Sequence, residues 1–225
     1  MRSLIPVNPF AVKRGLTVFL TLSKIWRSQM KKSIASLFAD SIAAKHQFLR
    51  EYEEALNDAI AEVVSVLKSG GKILLFGNGG SAADAQHIAA EFVNRYLIER
   101  PPLPAIALTT DTSALTSIAN DYGVEDLFAK QVRALGRNGD LAIAISTSGS
   151  SANVLRALEV CRELGIRTIG LTGGNGGKMA NLVDCFLCVS ATSVTPRIQE
   201  THILIGHVIC EMVDEVLFGV GSGRS

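Results

Sequence analysis

The sequence predicts an α/β fold: a doubly wound, parallel five-stranded sheet flanked by helices, preceded by an N-terminal helical region. Three observations predict it. Five short apolar runs alternate with helical patterns along the chain. Those runs are apolar at consecutive positions, as strands covered on both faces must be. Two loops rich in serine and glycine each leave a strand and open a helix.

Taken in order, residues 33–69 carry apolar side chains at spacings of three and four and read as helix. Strands are expected at 72–76, 105–109, 141–146, 167–172 and 185–190, each rich in Ile, Leu, Val or Ala. Helical patterns at 81–96, 112–120, 124–135 and 151–164 separate the first four, and a long helix at 196–218 closes the domain. In such a sheet, ligands bind beyond the carboxyl ends of the strands, where both small-residue loops fall.

A chain of 225 residues, 48% hydrophobic, can bury one ordinary core. No apolar stretch reaches the roughly 18 residues a membrane span needs. The net charge of +1 hides an uneven distribution. Residues 1–39 hold seven Lys or Arg and no acid, leaving 15 basic against 21 acidic groups in the rest. An acidic body does not favour nucleic acid. Residues 1–32 are therefore expected to be a basic, poorly anchored extension, and 33–219 the domain. The extension, with Phe10, Leu16, Phe19, Leu22 and Trp26 among its cations, reads as an amphipathic surface segment, an added helix, or the product of a start upstream of Met30. The cysteines (Cys161, Cys185, Cys188, Cys210) give no disulfide pattern. Cys185 and Cys188, three apart on one strand, point to opposite faces, so all four are expected as buried free thiols in a reducing, cytoplasmic compartment.

The loops run from Gly77 to Asp84 (GNGGSAAD) and from Ser146 to Asn153 (STSGSSAN). A strand, a turn of small residues and a helix start present free N–H groups and a positive dipole end, which suits anions. Ser146, Thr147, Ser148 and Ser151 add four hydroxyls within one turn. The first loop also fits a dinucleotide fingerprint, with Asp111 as the acid for a ribose, although 34 residues after Gly77 is far for that role. Two anion loops in one short domain suggest instead a phosphorylated small molecule, held at one end and worked on at the other.

Chemistry-bearing side chains follow on two helices. His87 and Glu91 are spaced i,i+4 and share a face, as two metal ligands or an acid and a base would. The last helix carries Gln199, Glu200, His202 and His207, and three of the four histidines lie on two helices able to converge on one cleft. His46 reads as an ordinary helix residue.

The runs at 77–91 (GNGGSAADAQHIAAE), 104–123 (PAIALTTDTSALTSIANDYG), 145–153 (ISTSGSSAN) and 197–207 (RIQETHILIGH) together resemble the phosphoheptose isomerases. These are SIS-domain enzymes that interconvert sedoheptulose 7-phosphate and D-glycero-D-manno-heptose 7-phosphate. The resemblance covers about residues 33–219. It implies that Ser146, Thr147, Ser148 and Ser151 hold the phosphate and that Asn78, Gly79, Gly80, Asn120 and Asp121 contact the sugar. It further implies one zinc ion per subunit on His87, Glu91, Gln199 and His207, with Gln199 and Glu91 also touching substrate. Glu91 and His207 would be the catalytic pair, acting through an ene-diol(ate). A zinc-bound carboxylate is a poorer base, so either Glu91 changes its contact during turnover or the metal organises more than it catalyses. The family further implies a homotetramer with sites near subunit interfaces, and use of the product in lipopolysaccharide heptose synthesis. A non-catalytic relative that binds the bacterial replication initiator is the alternative, but it lacks the catalytic residues at the positions of Glu91 and His207.

Overall fold

The five apolar runs become five parallel strands in the computed structural model, which describes residues 31–219. The expectations for residues 1–30 lie outside the described residues. The chain divides into two compact units, Met1–Asp40 and Ser41–Ser225. The described part of the first opens helix α1 (Ile34–Lys68), where Ser33 Oγ accepts the Ser36 N–H at 3.0 Å as an N-cap. Lys32 Nζ lies 3.1 Å from Asp40 Oδ2 there.

In the second unit, α1 continues and is followed by β1 (Ile73–Gly77), α2 (Gly80–Val93), β2 (Ala105–Ala107) and α3 (Thr112–Asp121). A 3-10 turn (Val124–Asp126) leads into α4 (Leu127–Leu135), then β3 (Leu141–Ser146), α5 (Ala152–Leu164) and β4 (Arg167–Gly173). A second 3-10 turn (Gly177–Asn181), β5 (Cys185–Val189) and α6 (Thr195–Phe218) complete it. The strand order is β2-β1-β3-β4-β5. β1 pairs with β3 in register Ile73 with Leu141 through Gly77 with Ile145. The winding direction reverses between β1 and β3, so the loops leaving those two strands diverge and open a crevice. Both small-residue loops sit at that switch point.

Each strand feeds two cores. Ile73 and Leu75 pack on one face with Ala85, Ile88 and Phe92 of α2 and Ile205 and Ile209 of α6. Leu74 and Phe76 pack on the other with Phe128 and Val132 of α4 and Val154 and Leu158 of α5. Each such side chain, fully buried, contributes roughly 1.5–3 kcal/mol. This is why the strands are apolar at every position instead of alternating.

The element boundaries differ from expectation by more than one residue at three places. β2 stops at Ala107, although the Leu108 N–H still donates to Leu75 O at 2.9 Å. The helix expected at 124–135 starts as a 3-10 turn because Gly123, at φ 105°, turns the chain and its carbonyl accepts the Asp126 N–H. α2 ends at Val93 instead of 96, so Tyr96 falls in the following loop.

The cysteines are free. Cys185, half-buried, turns its Sγ toward Ala55 O at 3.4 Å, and Cys188 its Sγ toward Gly174 O at 3.5 Å. Burial pushes the Cys161 and Cys210 thiols up to about 12, so neither is a thiolate at neutral pH. No helix of the described residues is long and apolar enough to cross a membrane.

Candidate active site

The two loops at the switch point are tied together. Asn78 and Asn153 exchange amide hydrogen bonds, Nδ2 to Oδ1, at 2.8 and 2.9 Å. The Asn78 amide is thus engaged in joining the loops. Gly79, at φ 55°, lets the chain enter α2 in a conformation other residues rarely adopt. A β-carbon on Gly80 would collide with the Gln199 amide, so glycine here lets α6 approach the first turn of α2.

The second loop turns back on itself through the Gly149 N–H, which donates to Ser146 O at 3.0 Å. Ser151 occupies the N-cap of α5, yet its hydroxyl makes no capping bond; it pairs with Ser146 Oγ at 3.0 Å. Ser148 Oγ is exposed and accepts the Ser150 N–H at 3.3 Å, and Thr147 is half-buried. Hydroxyls that do not satisfy their own helix start are free to meet a ligand there.

Asp111 does something else. Its side chain accepts the Ala114 N–H at 2.9 Å and caps α3. A carboxylate committed to a helix start is poorly placed to receive a ribose, which removes the support for a dinucleotide site. Asn120 and Asp121 lie exposed at the end of α3, bonded to each other at 2.8 Å, and no hydrogen bond or ion pair among the described residues joins them to the other predicted site residues.

α2 and α6 bring His87, Glu91 and His207 together. One ligand atom from each lies within 4.8 Å of the others. His87 Nε2 is 3.2 Å from Glu91 Oε1 and 3.0 Å from His207 Nε2. Two imidazole nitrogens so close need a shared proton or cation between them, since two lone pairs face to face repel. Bonds of about 2.1 Å in a tetrahedral zinc site separate neighbouring ligand atoms by roughly 3.4 Å. The two histidine nitrogens and one carboxylate oxygen fit that arrangement. Gln199 is placed two turns of α2 away from His87, against Gly80.

His202 does not join them. It is fully buried, with Nε2 bonded to Thr172 O at 2.8 Å, and burial lowers its pKa to about 4. It ties α6 to β4 as a neutral imidazole. Glu200 is occupied by Arg197, at 2.7 and 2.8 Å, and by the Ser41 hydroxyl at 2.6 Å.

Four residues that sequence reasoning passed over belong to this region. Asn153 holds the loops together. Tyr96 stacks on His207 with ring centroids 5.7 Å apart. Asp84 lies one turn before His87 on the same face of α2; burial pushes its carboxyl up, and its Oδ2 has no hydrogen-bond partner among the described residues. Arg100 binds the carbonyls at the end of α2. The spacing of Asp84 from His87 was readable as a helical face. Tyr96, the last residue of the helical pattern expected at 81–96, and Arg100 both lie in the loop after α2, and Arg100 has no periodicity to expose it.

Residues 37–173 match the SIS domain family. The chain is 56% identical over 186 residues to phosphoheptose isomerase 2 of Campylobacter jejuni, covering 82% of this chain and 92% of that one. The chain belongs to the phosphoheptose isomerase family of SIS-domain enzymes. Two solved structures agree. The phosphoheptose isomerase from Neisseria gonorrhoeae superposes with a TM-score of 0.76 at 48% identity, covering 81% of this chain and 97% of that one. That from Francisella tularensis gives 0.78 at 43% identity, with 81% and 96% covered. The fold is that of these enzymes, whose name implies a sugar-phosphate substrate.

Proposed function

We propose that this enzyme interconverts sedoheptulose 7-phosphate and D-glycero-D-manno-heptose 7-phosphate, the reaction that opens heptose supply for lipopolysaccharide. The observation that carries the reading is the cluster of His87, Glu91 and His207 on two helices, one of which opens from the first of the two switch-point loops. Ser146, Thr147, Ser148 and Ser151 grip the phosphate, and the backbone of Gly79 and Gly80 with Asn120 and Asp121 lines the sugar chain.

Isomerisation moves one proton from C1 to C2 and another from O1 to O2 through an ene-diol(ate). Glu91, half-buried and one turn from His87, takes the C1 proton, which exchanges with solvent on the carboxyl group before a proton is delivered to C2. His207, held by stacking on Tyr96, carries the oxygen proton. His87, Glu91 and His207 would hold a zinc ion; Gln199, whose amide lies against Gly80 two turns away, would have to swing toward them to serve as the fourth ligand. When bound, it supplies positive charge to the oxyanion that develops on the substrate. Mixed nitrogen and oxygen donors suit zinc.

The enzyme is further proposed to be a cytoplasmic homotetramer. Ile42 and Leu49 of α1 and Leu204, Met212 and Val216 of α6 are exposed. Phe48, Leu49, Leu204 and Val208 line an apolar groove of about 310 Å³ between the two helices. Such faces need covering. Gel filtration is expected to give a mass near four subunits; a mass near one subunit would contradict it.

The direct test is incubation of purified protein with sedoheptulose 7-phosphate, following the heptose phosphate by NMR. Turnover should fall on chelation and return with added zinc. No product in the presence of zinc would overturn the reading.

A further inference from the structure

Resting on the Glu91 and His207 roles just proposed, a neighbouring residue acquires a function of its own. Arg100 lies in the loop after α2, and its side chain is 1% exposed. Its guanidinium makes contacts in two directions. Toward α2, Nη2 donates to Glu91 O at 2.9 Å and Nη1 to Phe92 O at 2.8 Å. Nη1 also reaches Asn94 O at 3.5 Å and Pro101 O at 3.1 Å within the loop. Toward α6, Nε lies 2.7 Å from Asp214 Oδ1, and Asp214 is itself 4% exposed. Phe218 covers the group, its ring centroid 5.9 Å from the guanidinium carbon.

The last carbonyls of a helix have no partner within it and form its negative dipole end, so a buried cation there satisfies both. Only an arginine fork reaches a carboxylate and several carbonyls at once; a lysine is a point charge with three donors. The placement matters more than the stability. The carbonyl that Arg100 grips is that of Glu91 itself. Asp214 lies seven residues after His207, two turns on and therefore on the same face of α6. The loop that Arg100 fixes also presents Tyr96 to His207.

We propose that Arg100 is the positioning residue of the Glu91–His207 pair. It joins the backbone of one to the helix of the other and so sets the separation across which the substrate's protons move. Displacement of reacting groups by about 1 Å can cost on the order of 100-fold in rate. Groups behind metal ligands typically change metal affinity or activity by about 10- to 100-fold.

The test uses the full chain and three variants. Arg100→Lys keeps the charge and loses the fork. The double variant Arg100→Met, Asp214→Leu removes both buried charges, so it folds without an unpaired one. Lys72→Met is the control: it breaks the ion pair to Asp140, whose carboxylate also receives the Arg137 N–H, at the opposite end of the strands. For each, kcat and KM for sedoheptulose 7-phosphate are scaled to the folded fraction, and cobalt(II) binding is titrated by its absorbance without substrate.

The Arg100 variants are expected to lose about tenfold or more in kcat and in cobalt(II) affinity, with KM within about threefold, because the phosphate loop is not touched. Lys72→Met should lose melting temperature only. An Arg100 variant that is folded and matches the parent in both readouts overturns the proposal, and so does failure of both variants to fold, which would make Arg100 a folding residue. A parent that neither turns over nor binds cobalt(II) overturns the reading of the site as well; a competent parent with equally competent variants overturns Arg100 alone.

Discussion

Replacement of Glu91 by glutamine is expected to lower kcat by about 10²–10⁴-fold, the usual contribution of a positioned general base. Glutamine keeps the size and one oxygen but cannot take a proton from carbon. The position is half-buried, so the fold should survive. Glu91 also lies within the ligand cluster, and the variant's metal content must be measured beside its rate. A full complement of metal with a collapsed kcat isolates the base. Full activity in the variant would remove Glu91 from that role.

The second large effect is on binding. With Ser148 and Ser151 both changed to alanine, KM for the sugar phosphate is expected to rise by about 100-fold or more, since each hydrogen bond to a charged group is worth roughly 1.5–3 kcal/mol. The loop's backbone N–H groups remain, so binding weakens without disappearing. Because the reacting carbons lie at the other end of the substrate, kcat should change far less than KM. Steady-state kinetics separate the two, and competitive inhibition by inorganic phosphate should weaken in parallel. An unchanged KM would mean that the phosphate is held elsewhere.

The layered fold was legible because the physics is local. A strand buried on both faces must be apolar throughout, and β1 and β3 are. The 3-10 start at Val124–Asp126 was not legible, because the helical pattern expected at 124–135 does not distinguish a 3-10 turn from the first turn of an α-helix. Within the site, His87 and Glu91 followed from their spacing on one helix. Their partner on α6 did not follow from periodicity alone; the family resemblance supplied it. Grouping His202 with His207 as residues able to face one cleft ignored the helix itself: five residues put them roughly 140° apart around its axis. His202 accordingly faces β4 and the core. Asp111 looked like a ribose contact because an acid after a strand can serve either a ligand or a helix start, and only the structure shows its bond to Ala114. Arg100 was invisible for a different reason. Its importance comes from carbonyls and a carboxylate brought together across 114 residues of chain.

The central claim is that carboxylate-mediated proton transfer on sedoheptulose 7-phosphate occurs in this crevice. It is tested most directly by running the reaction in D₂O with zinc supplied and analysing the heptose 7-phosphate by NMR and mass. The account predicts product carrying solvent deuterium at C2, formed by the parent and lost with Glu91→Gln. No heptose phosphate at all, or product labelled equally in the parent and in Glu91→Gln, would contradict it.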